Sequence, residues 1–245
     1  MNTSKPLKTP NPGRAIGKMR EQIELTSIEY WDEWWATRSL ERVSQNDPAY
    51  GVNGWFLRFM DRQCGSLKGK SVIEIGGAMS FRLLALSMCR GVVPTVVDYS
   101  SVGLDKTRLL FALHGMAVNC IQADMHDISG CYDFVTHWGV LEHQTQVTPF
   151  INQCSRLAKH QIVFSMPNML AIGAHGWKRY SPNNWGLHVL HSDAMICSSC
   201  AACGLNCKPR FFGPPFFCIT PVENASSATA FLSWSQRAAE RMGRI

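Results

Sequence analysis

The chain has 245 residues, of which 46% are apolar and 17% charged, with a formal net charge of +6. That length supports one large domain with a sizeable core, and that composition excludes a disordered protein over most of the chain. Residues 1–20 carry Lys5, Lys8, Arg14, Lys18 and Arg20 with no acid, while the body of the chain is balanced, which argues against a nucleic-acid-binding face on the folded part.

No uncharged apolar run reaches the ~18 residues of a membrane span. The first residues lack an apolar secretory core and are interrupted by Pro6, Pro10 and Pro12, so a cytoplasmic protein is expected.

In chain order, residues 1–20 read as a flexible basic arm. Residues 21–66 read as a helical cap rich in aromatics: Tyr30, Trp31, Trp34 and Trp35, then Trp55, Phe56 and Phe59, with a break at Asp47-Pro48. These rings either pack onto the domain or form a lid over a pocket. Over 67–222 short apolar runs alternate with helical segments. The expected strands are Val72–Ile75, Val92–Val97, Val118–Ile121, Phe134–Trp138 and Gln161–Met166. Helices are expected from about Met79 to Arg90, from Ser100 or Ser101 to His114, from Thr145 to Ala158, and from a Ser192 cap to Gly204. This alternation predicts a parallel sheet with helices on both faces. Leu205–Phe212 and Phe216–Val222, joined at Gly213-Pro214-Pro215, predict an antiparallel pair, and 223–245 is expected to end in a surface helix.

Four strand ends carry the chemistry. Ser71–Ser80 delivers a buried strand through small residues Gly76, Gly77 and Ala78 into a helix, a turn at which backbone N–H groups approach a ligand closely. It lacks the G-x-G-x-x-G of dinucleotide sites. Its acid, Glu74, would repel a pyrophosphate but suits a cationic ligand. Asp98, 22 residues after Gly76 and followed by Tyr99, is placed to accept from two ribose hydroxyls. Asp124 and Met125 follow the third strand, suited to an adenine amino group and ring. Trp138, Glu142 and His143 follow the fourth.

Together these segments resemble the class I S-adenosylmethionine-dependent methyltransferases, particularly the small-molecule enzymes of ubiquinone-biosynthesis type. Glu74-Ile-Gly76-Gly77-Ala78-Met79-Ser80 follows the family's E-x-G-x-G-x-G in register. Val140-Leu141-Glu142-His143 is similar to its V-L-E-H loop, and Met166-Pro167-Asn168 to its P-N ending of strand five. The resemblance implies a Rossmann-like doubly wound seven-stranded sheet, mostly parallel with one reversed strand. It also implies S-adenosylmethionine as cofactor, methyl transfer to a small-molecule acceptor at O or N, and Glu74, Gly76, Gly77, Ala78, Asp98, Tyr99, Asp124, Met125, Trp138 and Glu142 as cofactor contacts.

Where the family has glycine, this chain has Ala78 and Ser80; a positive φ at Ala78 would cost about 1–2 kcal/mol. A general base is needed only if the acceptor loses a proton, and the candidates are His143 foremost, then His137 and His188. Tyr180, Trp185 and His188 are expected near the acceptor, within or just after an aromatic segment that also holds Trp177. The alternatives are an RNA methyltransferase using the basic arm and a cofactor-binding domain without turnover. Cys197, Cys200, Cys203 and Cys207 approach zinc-ligand spacing, but a helix capped by Ser192 puts the first three on one packed face, so no metal is expected.

Overall fold

A computed structural model describes residues 26–40, 48–167, 187–189, 191–207, 210–211 and 217–224. The basic arm, the segment holding Trp177, Tyr180 and Trp185, the Gly213-Pro214-Pro215 turn and residues 225–245 lie outside the described residues.

The elements in order are α1 (Ile28–Ala36), α2 (Pro48–Cys64), β1 (Ser71–Ile75), α3 (Phe81–Arg90), β2 (Val93–Asp98), α4 (Ser101–Leu113), β3 (Asn119–Gln122), β4 (Tyr132–Trp138), α5 (Val147–Leu157), β5 (Ala158–Pro167), α6 (Asp193–Ala202), β6 (Leu205–Cys207), β7 (Arg210–Phe211) and β8 (Phe217–Asn224). Helix ends follow local chemistry. Pro48 opens α2, where its missing N–H costs nothing. Gly91 ends α3 in the left-handed conformation (φ 64°). The side chains of Ser100 and Ser192 cap α4 and α6 by accepting from Gly103 N and Met195 N.

The first five strands form a parallel sheet in the order β3-β2-β1-β4-β5, a Rossmann-like α/β arrangement. Beyond β5, β8 pairs antiparallel with β5, and β6 and β7 pair antiparallel with β8. The strand after Gln161 was expected to begin there. It begins at Ala158 instead, directly from the last turn of α5, because its first residues already pair with β4. Likewise β8 runs two residues past Val222, held by its register with Gln161 of β5 and with Leu205 and Asn206 of β6.

Alternation along the strands separates two cores. Val72, Val96, Phe134 and Val163 face one side, where they pack with α2, α3 and α4 through Phe56, Met60, Leu83, Leu84, Leu104 and Phe111. Ile73, Val97, Val135, Ile162 and Phe164 face the other, against Phe150, Ile151 and Cys154 of α5 and Ile196 and Cys200 of α6. Strand order reverses between β1 and β4, where chain connections leave in opposite directions. A crevice opens there at the C-terminal strand ends.

Helix α1 is tied over this edge by side chains. Ser100 Oγ donates to Asp32 Oδ1 at 2.6 Å, and Lys106 Nζ donates to the carbonyls of Ala36 and Arg38. No helix among the described residues is long and apolar enough to cross a membrane.

Candidate active site

A cavity of about 310 Å³ occupies the crevice. That is at the small end of the roughly 300–1,000 Å³ typical of cofactor sites. Of the residues expected at the cofactor, Glu74, Gly76, Ala78, Asp98, Tyr99, Met125 and Trp138 line it, as does His143. Gly77, Asp124 and Glu142 stand beside it without lining it, and His188 lies outside it. Tyr180 and Trp185 fall outside the described residues.

The turn after β1 is built by backbone hydrogen bonds to β2. Gly76 N donates to the Val97 carbonyl at 2.8 Å, and the chain then bends with φ 64° at Gly76. A Cβ there would stand 2.5 Å from Val140 Cγ2, so the turn approaches the loop after β4 only because the residue is glycine. The strain expected at Ala78 is found instead at Met79, the one described non-glycine residue with positive φ (52°). Thr107 Oγ1 accepts from Met79 N at 2.9 Å and fixes that conformation. Ala78 keeps an ordinary φ, so replacing the family's glycine carries no backbone penalty at that position.

The acids are buried in different ways. Glu74 is 4% exposed, and Ser80 Oγ donates to its Oε2 at 2.5 Å. Desolvation dominates over that bond and over the nearby Arg82 charge, and pushes its carboxyl up to about 7. Ser80, at the cap position of α3, therefore serves Glu74 rather than the helix end. Asp98 accepts from Ser100 N at 2.8 Å and Ala78 N at 3.2 Å, which bonds the end of β2 to the small-residue turn. Burial outweighs those bonds and raises it to about 6. Asp124 Oδ1 accepts from His126 N at 2.9 Å, shaping the bend after β3 that presents Ala123 and Met125 to the cavity.

The loop after β4 holds the remaining candidates. Gly139 turns with φ 75°, and Leu141–His143 form a short 3-10 turn. Glu142 is 2% exposed, lies under Gly139, and has an Oε2 without a hydrogen-bond partner among the described residues; burial lifts its carboxyl to about 8. His143 Nδ1 donates to the Leu187 carbonyl at 2.8 Å, which leaves the lone pair on Nε2. Burial, and then His188, push it down to about 4. Its ring lies 4.7 Å from that of His188 and 5.2 Å from that of Trp31. Glu142, His143 and His188 each offer one potential metal-ligand atom, all within 4.8 Å of one another. His137 is corrected as a candidate base. It is buried, stacked 4.7 Å from Phe164, and does not line the cavity.

Several lining residues were not legible as site residues: Thr26, Arg82, Gln144 and Phe150. Trp31 and Trp35 of α1 roof the cavity, which favours the lid over mere packing for that aromatic run, and Trp31 Nε1 donates to Thr26 Oγ1 at 2.7 Å. The signal that could have exposed Arg82 was a basic residue in the first turn of α3, the end of a helix that disfavours cations. In the cysteine cluster, Cys200 is buried in the core of α5 and α6, and Cys197 Sγ lies 3.8 Å from Cys207 Sγ.

No protein-family model matches this chain. It is 24% identical over 207 residues to the ubiquinone biosynthesis O-methyltransferase of Hahella chejuensis, covering 72% of this chain and 84% of that enzyme. Against the enzyme of the same name from Klebsiella pneumoniae it is 29% identical over 176 residues, covering 69% and 66%. The motifs read from this sequence stand, in chain order, on or beside the crevice just described. In sequence the chain is similar to these methyltransferases, the kind of enzyme its motifs resemble.

Solved structures agree on the fold. The magnesium protoporphyrin IX methyltransferase of Synechocystis PCC 6803, with S-adenosylhomocysteine bound, superposes with a TM-score of 0.63 at 15% identity, covering 86% of this chain and 99% of that one. The geranyl diphosphate C-methyltransferase of Streptomyces coelicolor gives 0.56 at 10% identity, covering 71% and 80%.

Proposed function

We propose that this enzyme transfers the methyl group of S-adenosylmethionine to an oxygen or nitrogen of a small molecule by in-line displacement. The observation that carries the reading is the gathering of Glu74, Asp98, Met125 and Trp138, from four strand ends, around one cavity roofed by aromatics. In this reading Asp98 accepts from the ribose hydroxyls, and Met125 covers the adenine ring with Asp124 at its amino edge. The backbone of Gly76, Gly77 and Ala78 passes along the cofactor's middle, Tyr99 and Trp138 flank it, and Glu142 braces the Gly139 bend.

The fit is chemical as well as geometric. A cationic sulfur nucleoside meets carboxylates here, and binding it favours the ionised form of groups that burial has brought near neutral pH. The cofactor supplies an activated methyl group. The protein's share is alignment in a confined space, which provides ~7–11 kcal/mol in well-oriented reactions. For a hydroxyl acceptor, His143 takes the proton on Nε2, its tautomer fixed by the Leu187 carbonyl.

The antiparallel pairing of β8 with β5 supports the family's seven-stranded sheet with one reversed strand, with β6 and the two-residue β7 both paired to β8. Within that plan, residues 21–66 act as a cap on a core of 67–222, the enzyme works in the cytoplasm, and its partner is a small molecule rather than a nucleic acid. Calorimetry with S-adenosylhomocysteine tests the cofactor, and labelled-methyl incorporation from cell extracts tests turnover. An absence of binding would remove the reading; binding without transfer to any acceptor would reduce it to a cofactor-binding domain.

A further inference from the structure

The crevice holds a positive charge that the acids do not neutralise. Arg82 lines the cavity from the first turn of α3, eight residues after Glu74 on the same strand-turn-helix segment. Its side chain is half-buried, with the guanidinium 5.1 Å from the centre of the Trp138 ring. Among the described residues no carboxylate stands within ion-pair distance of it. Glu74 acts on it only through space and already holds the Ser80 hydroxyl.

Stability offers no reason for the residue. Burial disfavours the charge, and a cation in the first turn opposes the helix dipole. Ring contact with Trp138 offsets part of this, but an aromatic face does not occupy the guanidinium's N–H donors. A planar fork of donors facing a cavity matches a carboxylate, which it binds in two parallel hydrogen bonds.

Resting on the proposed cofactor, we infer that Arg82 holds the α-carboxylate of its amino-acid tail while Glu74 takes the ammonium, so that the two side chains read the zwitterion. The tail carries opposite charges on one carbon, and this wall presents opposite charges on neighbouring turns. Asp98 and Met125 occupy the other strand ends, where the nucleoside would lie, so the tail falls to the Glu74–Trp138 end. A carboxylate on the acceptor is the rival occupant of the same guanidinium.

The test compares S-adenosylhomocysteine with decarboxylated S-adenosylhomocysteine, which differs from it only in the carboxylate, by calorimetry on the wild type, Arg82→Met and Arg82→Lys. Loss of a charge-assisted pair predicts that Arg82→Met weakens S-adenosylhomocysteine roughly ten- to a hundredfold. The decarboxylated ligand should stay within about twofold of its wild-type affinity, and Arg82→Lys should fall between. Equal weakening of both ligands would overturn the inference, as would unchanged S-adenosylhomocysteine binding, including the case in which only the KM for acceptor rises. If Arg82→Met does not fold, the wild type still decides, because equal affinity for the two ligands would overturn the carboxylate contact. A wild type that binds neither ligand would instead overturn the cofactor reading beneath it.

Discussion

Asp98→Ala is the most informative single change, because Asp98 has two jobs whose losses are separable. Toward the protein it accepts backbone N–H groups of Ser100 at 2.8 Å and Ala78 at 3.2 Å. Stranding those donors costs about 1–3 kcal/mol of fold stability. In a chain of this size that lowers Tm by roughly 2–4 °C per kcal/mol. Toward the ligand it is proposed to accept two ribose hydroxyls. Charge-assisted bonds are worth about 1.5–3 kcal/mol each. Allowing for the backbone work the same oxygens already do, a net loss of about 3 kcal/mol, roughly 150-fold in Kd, is expected.

The assay is titration calorimetry with S-adenosylhomocysteine and with its analogue lacking both ribose hydroxyls. Wild type should lose most of that factor on the analogue, whereas Asp98→Ala should bind the two alike. The pH dependence supplies an independent check. Asp98 and Glu74 lie at about 6 and about 7 in the free protein. Ligand binding favours both ionised forms, so affinity is fully present above pH 7 and falls as pH drops. The part of that fall below pH 6 should vanish in Asp98→Ala. A folded Asp98→Ala that binds S-adenosylhomocysteine within about threefold of wild type would refute the ribose contact.

Three further outcomes are expected. Gly103→Ala raises helix propensity in α4 by about 1 kcal/mol. Its Cβ would stand 2.5 Å from that of Ala78 and 3.0 Å from Trp35 Cδ1, so overpacking of about 1–3 kcal/mol wins and Tm falls; a rise in Tm would contradict the tight seat of α1 on the turn. Glu142 is held near 8, so the native state binds more protons than the unfolded one between about 4.5 and 8, and its contribution to stability is lost as pH rises through that window. Denaturant titrations of Glu142→Gln against wild type should show the variant relatively more stable at pH 8 than at pH 5. With a hydroxyl acceptor, His143→Gln should lower kcat by about 10²–10⁴ with cofactor Kd unchanged, and a loss under tenfold would remove His143 as the base.

Much of this protein was legible before any coordinates. Apolar runs of strand length separated by helical segments specify a parallel α/β sheet because each strand must bury both faces. The acids at the ends of β1, β2 and β3 announce a crevice because such positions share one sheet edge. Capping by Ser100 and Ser192 and termination by Gly91 are local chemistry and were read as such.

What only the tertiary structure decided depends on contacts between distant segments. Left-handed strain sits at Met79 rather than Ala78 because Thr107, 28 residues away, holds the Met79 N–H. The strand-four histidine His137 is buried against Phe164, while His143 reaches the cavity with its tautomer set by Leu187. Helix α1 became a roof through the Ser100–Asp32 bond, and Arg82 entered the site only once α3 turned it toward Trp138. Periodicity records which face of an element is buried; what lies across that face is set by chain crossings, and those carry no local signal.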